Sequence, residues 1–206
     1  MHSVAEHNAH RAQCARAAVH TFTAVAAASV DRLPATFGPA VYDMLNDHAY
    51  AAMVTYSVAT GRGPIILHPG PPPGPDAPDL HHELWAAVQT DAYYVVSDFL
   101  CDVRHMLAEH GLWIEDVDGT DPQPQDYPEH AHIEVRMTYG LLTALRAYIE
   151  QCHLSYGQLL RASEQAWAEE ARAAEAEADT ADLAAAADAI AHATPDEIGR
   201  AAARLV

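Results

Sequence analysis

Four acid and histidine pairs spaced three residues apart carry the most chemistry in this chain: Glu150 with His153, Asp102 with His105, Glu129 with His132 and Asp79 with His82. On a helix such residues share a face, so one pair can offer a carboxylate oxygen and an imidazole nitrogen to one metal ion between packed helices. With 29 acids and 14 histidines in the chain, composition alone produces about two such spacings, so spacing decides little without convergence. If the helices on either side of Gly119 are antiparallel, His105, Glu109 and His110 stand level with Glu129, His132 and Glu134. The candidate metal ligands are therefore His105, Glu109, Glu129, His132, Glu150 and His153, with His48 as a further one, and the ion iron, manganese or zinc. Two features oppose this set. Asp91, Asp98, Asp102, His105 and Glu109 recur at helical spacing opposite Phe99, as on a solvated face. The first two helices add only Asp47, His48 and His20 and no internal Glu, so a di-iron set of four carboxylates is incomplete. The first expectation is that the protein carries no cofactor.

Other chemistries lose their signatures. Every basic residue is Arg, so no phosphate-binding loop ending in Lys can form, and neither a Gly-x-Gly-x-x-Gly after a strand nor a Gly-x-Ser-x-Gly elbow occurs. Asp116, Asp118 and Asp121 resemble the start of a calcium loop, but Tyr127 stands where the bidentate Glu belongs. Arg104 with His110 and Arg146 with His153 fit the loose Arg-to-His spacing of some all-helical ribonucleases, at the frequency that composition alone produces.

The 206 residues carry 11 basic and 29 acidic side chains, a formal net charge of −18, which repels a nucleic-acid duplex or an anionic membrane on average. Cys14, Cys101 and Cys152 are odd in number, widely spaced and without a Cys-x-x-Cys pair, so neither a disulfide framework nor a thiolate zinc site is expected. They read as reduced core thiols of a cytoplasmic protein. No run reaches the eighteen or so apolar residues of a membrane span, and the first residues lack a signal-peptide pattern.

The elements that must position these residues are helices. Ala15, Val19, Phe22, Ala26 and Val30 predict one from about residue 4 to 31, and Tyr42, Leu45, Ala49, Met53 and Tyr56 another from about 39 to 59. Seven prolines and four glycines between Gly61 and Pro78 predict an extended crossover. With Asp79 as its N-cap, the stripe Leu84, Val88, Ala92, Val95, Phe99, Val103 and Met106 predicts a third helix ending at Gly111. Leu112, Trp113 and Ile114 are expected to tuck back onto the body before an acidic turn. From Pro128, Met137, Leu141, Leu145, Tyr148, Cys152, Tyr156, Leu159 and Trp167 predict a fourth helix of about forty residues.

Residues 168–193 are Ala, Glu and Asp with two large apolar exceptions, Leu183 and Ile190; after them Thr194, Pro195 and Glu197 form a capping arrangement and Ile198, Ala202 and Leu205 a short apolar side. The expected architecture is all-α: a four-helix bundle of two antiparallel hairpins joined by the Pro-rich crossover over residues 1–172, with an Ala-rich acidic helical arm over 173–206. The expected function is non-enzymatic interaction or assembly, the protein binding a protein partner or itself, most simply as a homo-oligomer, through the fourth helix and Leu183, Ile190, Ile198 and Leu205. The alternatives are a metal-binding bundle protein or enzyme, and an acidic inhibitor that imitates nucleic acid.

Overall fold

A computed structural model describes residues 4–29, 39–63, 71–119 and 129–192. Among the described residues six helices pack together: α1 (Val4–Ser29), α2 (Pro39–Ala59), α3 (Asp79–Ala108), α4 (Ile114–Val117), α5 (Glu129–Gln151) and α6 (Tyr156–His192). No strand occurs among the described residues. None of the helices is long and apolar enough to cross a membrane. Residues 64–70 of the Pro-rich segment and the chain after His192 lie outside the described residues.

α1 is the element the others share, lying against α2, α3 and α5 and meeting α6 near its own start. Its buried face is Ala12, Ala15, Ala18, Val19 and Phe22, at the three- and four-residue steps of one helical stripe. The alanines leave room for close approach. On α5 the same device appears at Gly140, where an added Cβ would lie 3.3 Å from the Phe22 ring. Tyr56 of α2 meets Phe99 of α3 edge to face, with ring centroids 5.2 Å apart.

α3 divides into two unlike halves. From Ala92 onward it enters the core, and Phe99, Leu100, Cys101, Asp102, Val103 and Arg104 are buried in succession, so this stretch is covered on every side. Before Ala92 no α3 residue is buried, and Leu80 and Leu84 are mostly exposed, so the predicted core stripe begins two turns later than its periodicity implies. The expected solvated face is corrected as well: Asp102 is buried because α1 and α6 cover it. Asp79 is the first helical residue and Pro78 the N-cap. At the other end, Leu112 N–H donates to the Leu107 carbonyl and Gly111 N–H to Ala108, with Gly111 at φ +72°. This is a Schellman stop, in which glycine avoids the Cβ clash of the left-handed region. Ile114 and Val117 then return to the core as α4.

The predicted forty-residue fourth helix is two helices. Leu154 N–H donates to the Ile149 carbonyl and His153 N–H to Glu150, a second Schellman stop whose left-handed position is held by His153 at φ +57°. Ser155 then caps α6, its hydroxyl accepting from Gln158 N–H at 3.4 Å. The turn sends the chain back over α3 and along α1 in the opposite sense: Arg11 meets Glu170, and one α1 turn-pair earlier Val4 N–H donates to Glu177 Oε2 at 3.1 Å.

A side chain with a Cβ is strained in the left-handed region, by roughly 1 kcal/mol or more. His153→Gly is therefore expected to raise stability by about 0.5–1 kcal/mol in urea denaturation. A loss of stability in that variant would show that the imidazole contributes more than a place to end α5.

Candidate functional site

The most heavily buried charge lies where α1, α2, α3 and α6 meet. The Asp102 side chain is only 1% exposed, and a carboxylate so placed must be fully paired. Arg11 Nε donates to its Oδ1, and Tyr56 O–H donates to its Oδ2 at 2.6 Å. Arg11 also pairs through Nη1 with Glu170 Oε1. Glu170 Oε2 in turn lies 2.8 Å from His105 Nε2 and 3.9 Å from Cys101 Sγ. One guanidinium thus joins a carboxylate of α3 to one of α6, and the second carboxylate carries the network on to a histidine and a thiol one helical turn apart on α3.

The electrostatics follow from burial and pairing. Burial pushes the Asp102 carboxyl above the usual range, although Arg11 and Tyr56 pull the other way. Burial also raises the Tyr56 hydroxyl, helped by the charge on Asp102. Cys101 is pushed up to about 12, by burial first, so its thiol is neutral in the resting network. For Glu170 burial is outweighed by the bonds from His105 and Arg11, which bring it down to about 2. An open cleft of about 330 Å³ borders this network; Glu170, Asp102 and Arg11 form its inner wall, and His7, His10 and Cys14 stand around them. At its rim Arg62 pairs with Asp98.

Of the sequence-predicted ligands, His105 is the one that enters this network. Glu109 is bound by Arg16 Nη2, and the same guanidinium reaches Glu134, whose other oxygen lies 2.6 Å from His110 Nε2. Of the expected pairing of residues 105–110 with 129–134, Glu134 meets His110 and, through Arg16 of α1, Glu109, while His105 meets Glu170 of α6 instead. His132 is half-buried on α5, and the Glu129 side chain lies outside the described residues. Glu150 is exposed, and His153 is exposed at the stop of α5 with its ring 6.3 Å from Trp85. His48 is buried edge-on to Phe22, and burial lowers its pKa, which marks a neutral core imidazole. Among the described side chains, His105, Glu109, His132, Glu150 and His153 are not brought together.

Arg104 and His110 do not share a site either: Arg104 is clamped by Glu115 and Ser163, while His110 faces Glu134. Arg146 binds Asp118 and lies over the Tyr156 ring. All three cysteines are free and buried, as expected. Sequence reasoning missed Glu170, which reads as one more acid of a solvated segment, and Arg11, Tyr56 and Cys101. Cys101 and His105 carried a legible signal, since four residues apart on a helix they share a face.

Comparison of this chain with protein-family models, with curated proteins and with solved structures finds no match.

Two outcomes test the reading of these networks. Asp102→Asn leaves Arg11 with one buried counter-charge fewer and is expected to cost about 3 kcal/mol in urea denaturation; a cost under about 1 kcal/mol would show that Asp102 is not held as an ion. For Glu134, burial acts upward, but the bonds from His110 and Arg16 hold its carboxyl below the usual value. A depressed carboxyl contributes stability that is present above its unfolded pKa and lost as pH falls through its folded one. Glu134→Gln should therefore lose less stability than the native chain between about pH 5 and pH 3, by about 1 kcal/mol. Parallel acid-denaturation profiles of the two proteins would show that the pairing contributes nothing.

Proposed function

We propose that this protein is a non-enzymatic helical assembly protein that associates with a second copy of itself through the projecting half of α6. The observation that carries the reading is where α6 stops being covered. Glu177 is level with Val4, the first residue of α1, yet α6 continues to His192, roughly 20 Å further at 1.5 Å per residue. Residues 175–185 are exposed throughout, and Leu183 is 72% exposed. An isolated helix with so little burial is marginal in water, so its length favours a helical partner that covers it. Leu183, Ile190, Ile198 and Leu205 follow one another at steps of seven and eight residues, the repeat of a helix-packing seam, with small alanines between them to permit close approach. The acidic residues of this half would flank the seam and keep its outer face solvated.

In this proposal α1, α2, α3 and α5 make up the four-helix body, the Pro-rich segment is its crossover, and the arm begins near residue 173. The acids are spread along the chain with a concentration toward the arm, which gives the nucleic-acid-mimicking alternative less support than the assembly reading. Light scattering coupled to size exclusion should give a dimer or larger species at micromolar concentration, and a Leu183→Asp, Ile190→Asp double variant should run as a monomer with its unfolding transition shifted by less than about 1 kcal/mol. A native chain that is monomeric across the whole concentration range would sink the proposal.

A further inference from the structure

We propose that Cys101, His105 and Glu170 form a zinc site with three protein ligands and a fourth position for water. The inference is independent of the assembly reading. It rests on a donor set of three different types, drawn from two helices, whose Sγ, Nε2 and carboxylate oxygen all lie within 4.8 Å of one another. Thiolate, imidazole and carboxylate together are the ligands that zinc takes, and three of them with one open position is a common zinc arrangement.

The distances fit. Around a tetrahedral zinc, with bonds of about 2.3 Å to sulfur and about 2.0 Å to nitrogen and oxygen, neighbouring ligand atoms stand roughly 3.3–3.6 Å apart. Glu170 Oε2 lies 2.8 Å from His105 Nε2 and 3.9 Å from Cys101 Sγ, and the sulfur and the imidazole nitrogen lie within 4.8 Å of each other, so side-chain shifts of at most about 1 Å give the required spacing. α3 supplies Cys101 and His105 at a four-residue step, on one face. α6 supplies Glu170, and the outer partners already hold it in position: Arg11 binds its Oε1, which leaves Oε2 turned toward the other two ligands, while Asp102, itself bound by the Tyr56 hydroxyl, holds Arg11. Ligating carboxylates are oriented by such outer contacts.

The charges balance as well. With a neutral thiol, Arg11, Asp102 and Glu170 sum to −1 around a buried centre. On binding, the ion takes the place of the hydrogen bond between His105 and Glu170. Cys101 forms the Zn–S bond and its thiol proton leaves to bulk water; the proton that His105 Nε2 donates to Glu170 moves to Nδ1, so the imidazole stays neutral and binds through the freed Nε2 lone pair. Zinc, thiolate, Glu170, Asp102 and Arg11 then sum to zero. Glu170 also lines the open cleft, so water can reach the fourth position from solvent. The ion would tie α6 to α3 at the point where the covered half of α6 ends.

The test uses full-length, reduced, chelator-stripped protein titrated with Zn²⁺ alone and with Co²⁺ alone. One tight equivalent of Zn²⁺ per chain is expected, with release of one proton, and the Co²⁺ adduct should show a thiolate-to-cobalt charge-transfer band and the intense visible bands of a tetrahedral ion. Cys101→Ser should abolish the charge-transfer band, and Glu170→Gln should weaken Zn²⁺ binding at least about ten-fold. Fourteen histidines offer adventitious sites, so the thiolate band decides: its absence from the native adduct, or its persistence in Cys101→Ser, overturns the proposal. Should Cys101→Ser fail to fold, a Cys14→Ser, Cys152→Ser double variant leaves Cys101 as the single thiol; the band retained there supports the site, and the band lost overturns it.

Discussion

The structure depends on one desolvated carboxylate. Asp102 sits in the stretch of α3, residues 99–104, that is buried on every side, near Phe99, Leu100, Val103 and Met106. Removing such a group from water costs several kcal/mol unless donors surround it. Arg11 and Tyr56 are those donors, and each has to arrive at a fixed height. The requirement therefore sets where α1 and α2 stand along α3. This matters because the α1 interface is largely alanine, and a face of uniform small side chains offers little shape to select one register over its neighbours. A polar contact that exists in only one register supplies the selection. Through its second bond to Glu170 the same guanidinium brings α6 under that rule.

Arg16 repeats the arrangement one and a half turns later on α1, bridging Glu109 of α3 and Glu134 of α5. Two arginines of a single helix thus connect it to three others. The remaining buried guanidinium, Arg104, fastens the α4 turn through Glu115 and reaches α6 through Ser163. The chain has 11 basic residues against 29 acidic ones, and among the described residues Arg11, Arg16, Arg62, Arg104 and Arg146 each pair with an acid of another part of the fold. The acids of α6 from Glu175 to Asp182 are exposed.

Much of the secondary structure was legible. The start of α1, both ends of α2 and the start of α3 fall where periodicity and proline placement put them, because those signals are local. Gly111 marked the stop of α3 for the same reason. The break between α5 and α6 was not read, since His153 is an unusual residue for a left-handed stop and the apolar stripe continues through Cys152, Tyr156 and Leu159 on both sides of it. A start signal was nevertheless present: Ser155 with Gln158 three residues on is the pattern of a capped helix beginning. Among the candidate ligands, His153 is affected by the same break, standing exposed at the stop of α5, whereas Glu150 is exposed within α5 itself.

By itself the sequence determined that the chain is helical, where most helices begin and end, and that thiols and large apolar residues go inward, because these follow from backbone sterics and a repeat of 3.6 residues. Only the tertiary structure decided which helix covers which face. Asp102 and His105 have the spacing of a solvated stripe, and Glu170 belongs to a run of acids, so nothing local distinguishes them from surface charge. They become a buried network because the turn at 152–155 reverses the chain, lays α6 across α3, and brings together residues 65 and more positions apart whose meeting no short-range pattern encodes.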